Sequence, residues 1–253
     1  CFGLTEPDHG SNPGGMTTNF VDKGDHVVLN GAKMWISNAP FADVAVVWAK
    51  NEAGVIHGVI VERGMEGFTT PTTHNKWSLR ASCTGELVFD NVKVPKENIL
   101  PGVTGLKGPL TCLNSARYGI SWGALGAAMD CYDTALRYSK EREQFGKAIA
   151  GFQAIAFKLA DMATEIEAAE LLTFKAADLK NRGMKVTKEG AYAKYYASEV
   201  AVKASTEAVQ IFGGYGYTKD FPVEKFYRDS KLCTIGEGTS EIQKLVISKQ
   251  IIG

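Results

Sequence analysis

Cysteine is scarce in this chain: five residues in 253, Cys1, Cys83, Cys112, Cys131 and Cys233, with an odd count and no CxxC pair. Such a set makes a poor disulfide framework and fits a reducing compartment. Histidine is scarcer still. His9, His26, His57 and His74 are scattered, which excludes any familiar metal-ligand spacing. Net charge is absent, with 28 basic and 28 acidic residues, so nothing argues for a nucleic-acid backbone or an anionic membrane as partner. No apolar run approaches the roughly 18 residues of a membrane span. There is no internal repeat and no low-complexity tract. The first residues, Cys1-Phe2-Gly3-Leu4, carry neither Met nor a signal peptide. They read as the start of a fragment or a processed chain. What remains is ordinary globular material, 45% hydrophobic and 22% charged, enough for a sizeable core.

The grammar of the chain changes once. Residues 1 to about 100 hold short runs rich in Val, Ile, Trp and Thr, broken by Gly, Asn, Asp and Pro. His26–Leu29, Val44–Trp48, Val55–Glu62, Phe68–Thr70 and Glu86–Phe89 read as strands of an antiparallel barrel or sandwich. Asn30-Gly31 between two such runs predicts a hairpin turn. Pro101-Gly102 through Gly108-Pro109 is a turn-rich link. Beyond it, apolar residues recur at three- and four-residue spacing. Helices are expected over about 114–142, 152–181, 188–212, 223–231 and 240–252, with Arg182-Gly183 and Gly213-Gly214 as stops. Long helices with short links make a bundle. The expected division is a β-domain over 1–105 and a helical bundle over 106–253.

Several segments can carry chemistry, each with a plain structural alternative. Glu237 lies in Gly236-Glu237-Gly238, on flexible backbone that allows close approach to a ligand. It also stands just before a helix start, where Thr239 or Ser240 can cap, Gln243 can complete a capping box, and a carboxylate is held by the dipole. Gly213-Gly214-Tyr215-Gly216-Tyr217 invites a dinucleotide-loop reading. The spacing is not GxGxxG and a helical pattern precedes it, so it reads as a helix stop and tight turn. Close backbone approach to a cofactor stays open there. Thr5-Glu6-Pro7-Asp8-His9-Gly10-Ser11 is a polar loop that either turns the chain or grips a polar ligand. Trp35, beside Ser37, suits the core or a flat ring system. Arg142 in Arg142-Glu143-Gln144-Phe145-Gly146 is a solvated helix end or a phosphate ligand. Arg117 is a structural ion pair or a ligand contact.

Taken together, these segments resemble the acyl-CoA dehydrogenases. Phe2-Gly3-Leu4-Thr5-Glu6-Pro7 followed by Gly10-Ser11 matches the family's strand-loop signature, and Gly31-x-Lys33-x-Trp35-Ile36-Ser37-Asn38 its next segment. Arg142-x-x-Phe145-Gly146 with Gln153, then Gln210-Ile211-Phe212-Gly213-Gly214-x-Gly216, then Glu237-Gly238-Thr239-Ser240-Glu241-Ile242-Gln243 follow in the family's order. Five ordered motifs span nearly the whole chain. Lys76-Trp77-Ser78-Leu79-Arg80-Ala81-Ser82 and Cys112-Leu113-Asn114-Ser115-Ala116-Arg117-Tyr118-Gly119 look most like the glutaryl-CoA dehydrogenase branch.

The resemblance implies an α+β fold: a middle antiparallel β-barrel domain followed by a C-terminal four-helix bundle. The family's N-terminal helical domain would be missing. It implies a homo-oligomer, a tetramer or dimer, in a bacterial cytoplasm or a mitochondrial matrix. It implies FAD as cofactor, an acyl-CoA as substrate and electron-transfer flavoprotein as acceptor. Phe2 through Thr5, including Leu4, with Gly10 and Ser11, would line the flavin and the pantetheine end of the thioester. Trp35, Ile36 and Ser37 would pack on and hydrogen-bond the isoalloxazine. Arg142, Phe145, Gln153, Gln210, Ile211, Gly213 and Gly214 would hold the FAD adenosine and pyrophosphate across a subunit boundary, and Thr239 would also touch FAD. Leu113, Asn114 and Arg117, with Ser11 and Gly238, would contact the substrate.

Glu237 would be the base that removes the thioester α-proton, while its backbone N–H donates to the thioester oxygen and flavin N5 takes the β-hydride. Many relatives have Tyr where this chain has Gly236, which implies room for a branched, cyclic or carboxylated acyl group, glutaryl among them. The rival readings are an acyl-CoA oxidase that passes electrons to oxygen, a flavin monooxygenase of the same fold, and a non-catalytic relative. The retained Glu237 argues against the monooxygenase, and the zero net charge argues against a DNA-binding relative.

Overall fold

The computed structural model describes all residues, 1–253, as two compact units, Cys1–Cys112 and Leu113–Gly253. The division falls inside the first long helix. No helix is long and apolar enough to cross a membrane.

The first unit is one seven-stranded sheet. Its strands are β1 (Phe2–Gly3), β2 (Asn19–Asp22), β3 (His26–Ser37), β4 (Val44–Lys50), β5 (Ile56–Glu62), β6 (Phe68–Thr69) and β7 (Thr84–Pro95). The order runs β1-β4-β2-β3-β7-β6, with β5 on β4. The expected β-domain is present and mainly antiparallel, with short parallel pairings of β1 and β2 to β4. Val27 and Leu29 of β3 and Leu87, Phe89, Val92 and Val94 of β7 lie on the buried face. Each contributes about 1.5–3 kcal/mol by leaving water.

The long β3·β7 ladder carries two bulges. Leu29 faces Val92 but Gly31 faces Phe89, so Asp90 and Asn91 together oppose Asn30. Lys33 faces Leu87 but Ile36 faces Gly85, so Met34 and Trp35 oppose Glu86. Asn91 and Trp35 take left-handed φ values of 52° and 63°. The second bulge breaks the two-residue alternation of β3, so that both Lys33 and Ile36 point inward and Trp35 stands 58% exposed. Trp35 is therefore not a core residue.

Asn30-Gly31 is not a hairpin turn. It lies inside β3, opposite the Asp90-Asn91 bulge of β7, where a positive φ and the close approach of Thr18 require a glycine. Gly31 has φ +136°, and a Cβ there would sit 2.5 Å from Thr18 Oγ1. The hairpin between β2 and β3 turns at Lys23-Gly24-Asp25, where Gly24 has φ +98° and Lys23 N–H donates to His26 O. Strand β2, with two exposed polar ends around Phe20, was not read from the sequence.

The second unit is the expected bundle, in five helices: α1 (Lys107–Glu141), α2 (Gln153–Asn181), α3 (Thr187–Phe212), α4 (Val223–Cys233) and α5 (Ser240–Ile252). The last four lie within two residues of the spans read from periodicity. Helix α1 begins seven residues earlier than Asn114. Pro109 is in its first turn, where a proline costs no hydrogen bond, so Gly108-Pro109 opens the helix rather than ending the link. The core interleaves Ala197, Ala201, Ala204 and Ala208 of α3 with Leu159, Met162 and Ile166 of α2 and Ala124, Ala128 and Ala135 of α1. Small side chains at helical spacing let these helices pack closely. Gly183 (φ +72°) and Gly213 (φ +60°) end α2 and α3 as their sequence suggests.

Candidate functional site

In the first unit, a buried ion pair ties the polar loop to the Trp35 bulge. Lys33 Nζ lies 2.8 Å from Glu6 Oε1, with side-chain exposures of 0% and 2%. Glu6 also accepts from Thr17 N–H (2.7 Å), Thr17 Oγ1 (3.0 Å) and Thr18 N–H (2.9 Å). Burial pushes the Glu6 carboxyl up, but the bonds from Lys33, Thr17 and Thr18 outweigh it and hold the group down at about 2. Lys33 Nζ donates to Leu4 O as well, and Met34 N–H donates to Thr5 O at 2.8 Å. The Phe2–Thr5 segment is thus stapled alongside Met34 and Trp35. Trp35, Ser37, Gly10 and Ser11 are exposed, Phe2 and Thr5 are half-buried, and Leu4 and Ile36 face the core. The sequence reading missed Glu6 and Lys33. Both sit inside the quoted motifs, and a Lys at an inward position of a strand is their only signal.

In the second unit, Arg142 is exposed at the end of α1, its N–H donating to Tyr138 O at 2.8 Å, and the residues after it form a further element. Two short strands, β8 (Glu143–Gln144) and β9 (Lys147–Ala148), form a hairpin turned by Phe145-Gly146, both with positive φ. Phe145 sits at its tip, 94% exposed. Arg142, Phe145, Ile211, Gly213 and Gly214 come together around a cavity of about 600 Å³ that Tyr215 also lines. The Arg142 guanidinium lies 5.9 Å from the Tyr215 ring centre. Gln153 and Gln210 stand exposed beside the lining residues Phe152 and Ile211, and Thr239 is not part of this cavity.

The glycines there divide into two kinds. A Cβ on Gly213 or Gly214 would meet no atom within 4 Å, whereas one on Gly216 would lie 2.4 Å from Val209 O. Gly216 is needed for packing. Gly213 and Gly214 leave bare backbone open to the cavity. Aromatic walls, a guanidinium and unshielded peptide groups fit a flat heteroaromatic ring carrying phosphate.

Glu237 occupies the turn between α4 and α5 with φ +56°, followed by Gly238 with φ +88°. Thr239, not Ser240, caps α5, accepting from Ile242 N–H at 3.3 Å. The expected capping box does not form. Gln243 is fully buried and donates to Glu237 O (3.1 Å) and Gly238 O (2.9 Å). Lys194 of α3 is fully buried too, and its Nζ donates to Gly238 O at 2.7 Å. Arg117 is 6% exposed; its Nη1 donates to Asn114 Oδ1 at 2.8 Å and its Nε is buried without a partner. Burial lowers the Arg117 pKa, opposed by the Glu237 charge. Arg117 is thus not an ion-pair residue of the fold. Half-buried Leu113 and Asn114 precede it on α1. Lys194 was missed by the sequence reading, and Gln243, expected in a capping box, instead ties down the carbonyls of the turn.

These features coincide with a known family. The acyl-CoA dehydrogenase middle domain matches residues 1–92 and the acyl-CoA dehydrogenase C-terminal domain matches residues 104–252. The chain belongs to the acyl-CoA dehydrogenase family. It is 45% identical over 257 residues to a subunit of the caffeyl-CoA reductase-Etf complex of Acetobacterium woodii, covering 100% of this chain and 68% of that protein. Among solved structures, the glutaryl-CoA dehydrogenase of Mycobacterium smegmatis superposes with a TM-score of 0.96 at 45% identity, over 99% of this chain and 65% of that one. A glutaryl-CoA dehydrogenase of the same organism in complex with FADH2 gives a TM-score of 0.96 at 41% identity, over 99% and 65%. The chain spans about two thirds of the length of these relatives.

Proposed function

We propose that this chain is the cofactor-binding and catalytic part of an enzyme that dehydrogenates an acyl-CoA thioester between its α and β carbons, with FAD as cofactor and Glu237 as base. The observation that carries the reading is the Glu237 turn. A carboxylate is held on left-handed backbone, with its own carbonyl and the next one tied inward by buried donors.

Arg142, Phe145, Gln153, Gln210, Ile211, Gly213 and Gly214 would hold the adenosine and pyrophosphate of FAD, using guanidinium charge, aromatic surface and bare peptide. Phe2, Leu4, Thr5, Gly10, Ser11, Trp35, Ile36 and Ser37 would receive the isoalloxazine, with Leu4 and Ile36 acting through backbone. Thr239 would touch the same cofactor. When bound, FAD supplies the acceptor for the β-hydrogen and its electron pair. Glu237 takes the α-proton onto a carboxylate oxygen. The Glu237 N–H has no acceptor within the chain and can donate to the thioester oxygen, where negative charge develops. Leu113, Asn114, Arg117, Ser11 and Gly238 would contact the substrate. The favoured acyl group is glutaryl or one similarly bulky or carboxylated, and the electron acceptor is electron-transfer flavoprotein. The working form is a homo-oligomer, a tetramer.

The test is the visible flavin spectrum of the FAD-loaded protein before and after anaerobic addition of glutaryl-CoA. Bleaching, absent in Glu237→Gln, supports both the reaction and the base. A flavin that ignores glutaryl-CoA but bleaches with butyryl-CoA keeps the reaction and removes the acyl assignment. Rapid reoxidation by air points to an oxidase. No bleaching by any thioester sinks the proposal.

A further inference from the structure

Lys194 is the one fully buried cation of the helical unit, and the fold gives it no carboxylate partner within 4.0 Å. Leaving a charge in a core without a counter-ion is costly, and a neutral side chain of similar length would pack there more cheaply. Its single hydrogen bond goes to the backbone of the turn that carries Glu237. In a trans peptide the C=O and the following N–H point in opposite directions. Gln243 and Lys194 draw the oxygens of Glu237 and Gly238 into the core, so the N–H groups of Gly238 and Thr239 are turned the other way. Neither N–H has an acceptor in the chain, nor does that of Glu237. A Cβ on Gly238 would lie 2.8 Å from Gln243 Nε2, so the contact is close as well as polar.

We propose that Lys194, acting with Gln243, is a positioning residue for catalysis: its ammonium pins the Glu237-Gly238 turn so that the carboxylate and the free N–H groups are presented together. The inference rests on Glu237 being the base. The groups facing the ammonium are Cys233 of α4, Glu237 of the turn, Glu199 of its own helix and Arg117 of α1, with neutral Gln243 from α5. Burial brings the ammonium down to about 8, against the opposing pull of Cys233, Glu237 and Glu199. A neutral amine is a weaker donor than an ammonium. The pin therefore slackens as pH rises through about 8.

The test uses the FAD-loaded protein, wild type and Lys194→Met, with a thioester substrate from about pH 6 to 10. Alongside it, hydrogen exchange of the 234–243 segment is followed without substrate and normalised to intrinsic rates. In Lys194→Met, kcat at neutral pH is expected to fall about tenfold or more while KM moves less than about threefold. The wild-type kcat is expected to decline through about pH 8, and this limb should vanish in the variant. The segment should exchange faster in the variant, and in the wild type above pH 8. A variant with wild-type kcat and the same alkaline limb overturns the proposal. If Lys194→Met does not fold, wild-type protection that stays constant across pH 8 overturns it, and protection that drops there supports it. A protein that oxidises no thioester sinks the reaction instead, and the exchange data still judge the pin.

Discussion

Lys33 and Glu6 form a fully buried ion pair, 2.8 Å apart, that joins the N-terminal loop to the bulged end of β3. Removing one partner strands the other charge in the core. Lys33→Met is therefore expected to destabilise the protein by about 3–5 kcal/mol. The double variant with Glu6→Leu should lose much less than the sum of the two single losses. Urea unfolding of the four proteins measures this, and strict additivity would contradict the pairing.

The same pair sets an acid limb. Folded Glu6 titrates at about 2 against 4.5 for a free glutamate. The unfolded chain then binds more protons between those values, so stability rises with pH there. The Glu6 contribution is complete above about pH 4.5 and is lost as pH falls through that window toward 2. Melting temperatures from pH 2 to 6 should show the loss in the wild type and a flatter response in Glu6→Gln.

The two kinds of glycine near α3 should respond oppositely. A Cβ at position 214 would meet no atom within 4 Å, so Gly214→Val is expected to spare the fold while cofactor affinity falls. Gly216→Ala forces a Cβ against Val209 O and should cost about 1–3 kcal/mol in stability. FAD titration and thermal melts separate the two effects. A Gly214→Val protein that binds FAD as tightly as the wild type would remove the cavity from the FAD site.

Gly236 has only ordinary contacts, with Leu232 O 3.6 Å from where a Cβ would stand. A Cβ there would make ordinary van der Waals contact, so the backbone of the turn itself does not demand glycine at 236. Gly236→Tyr should lower kcat/KM for branched or carboxylated thioesters about tenfold more than for straight ones. Parallel losses for both would mean that Gly236 does not set the acyl pocket.

Periodicity made α2 and α3 legible, because their buried stripes repeat every three or four residues and glycines close both helices. The Glu237 segment was legible through its glycines and the motif around it. The Asn30-Gly31 hairpin failed because a glycine needed for close approach inside a strand looks the same as one needed for a tight turn, and only strand pairing tells them apart. The β8–β9 hairpin was hidden because Phe145 at a positive φ is an uncommon choice for that position. Lys194 was invisible for another reason. A lysine among alanines on a long helix reads as a solvated residue, and only the tertiary packing of α3 against the Glu237 turn buries it.

The two bulges of β3·β7 lie on opposite strands, and their effects cancel. Pairing slips by one residue after Leu29 and recovers by Ile36, so both ends of the ladder keep the same register. Each bulge is one extra residue absorbed locally. Deleting Asn91 alone would pair Asn30 with Asp90 and leave Leu29 opposite Val92 and Gly31 opposite Phe89, with the inner and outer faces unchanged. Deleting a residue from a regular stretch of the same ladder would instead exchange the faces beyond it. Single-residue length changes in this stretch are therefore expected to be tolerated at the bulges and nowhere between them.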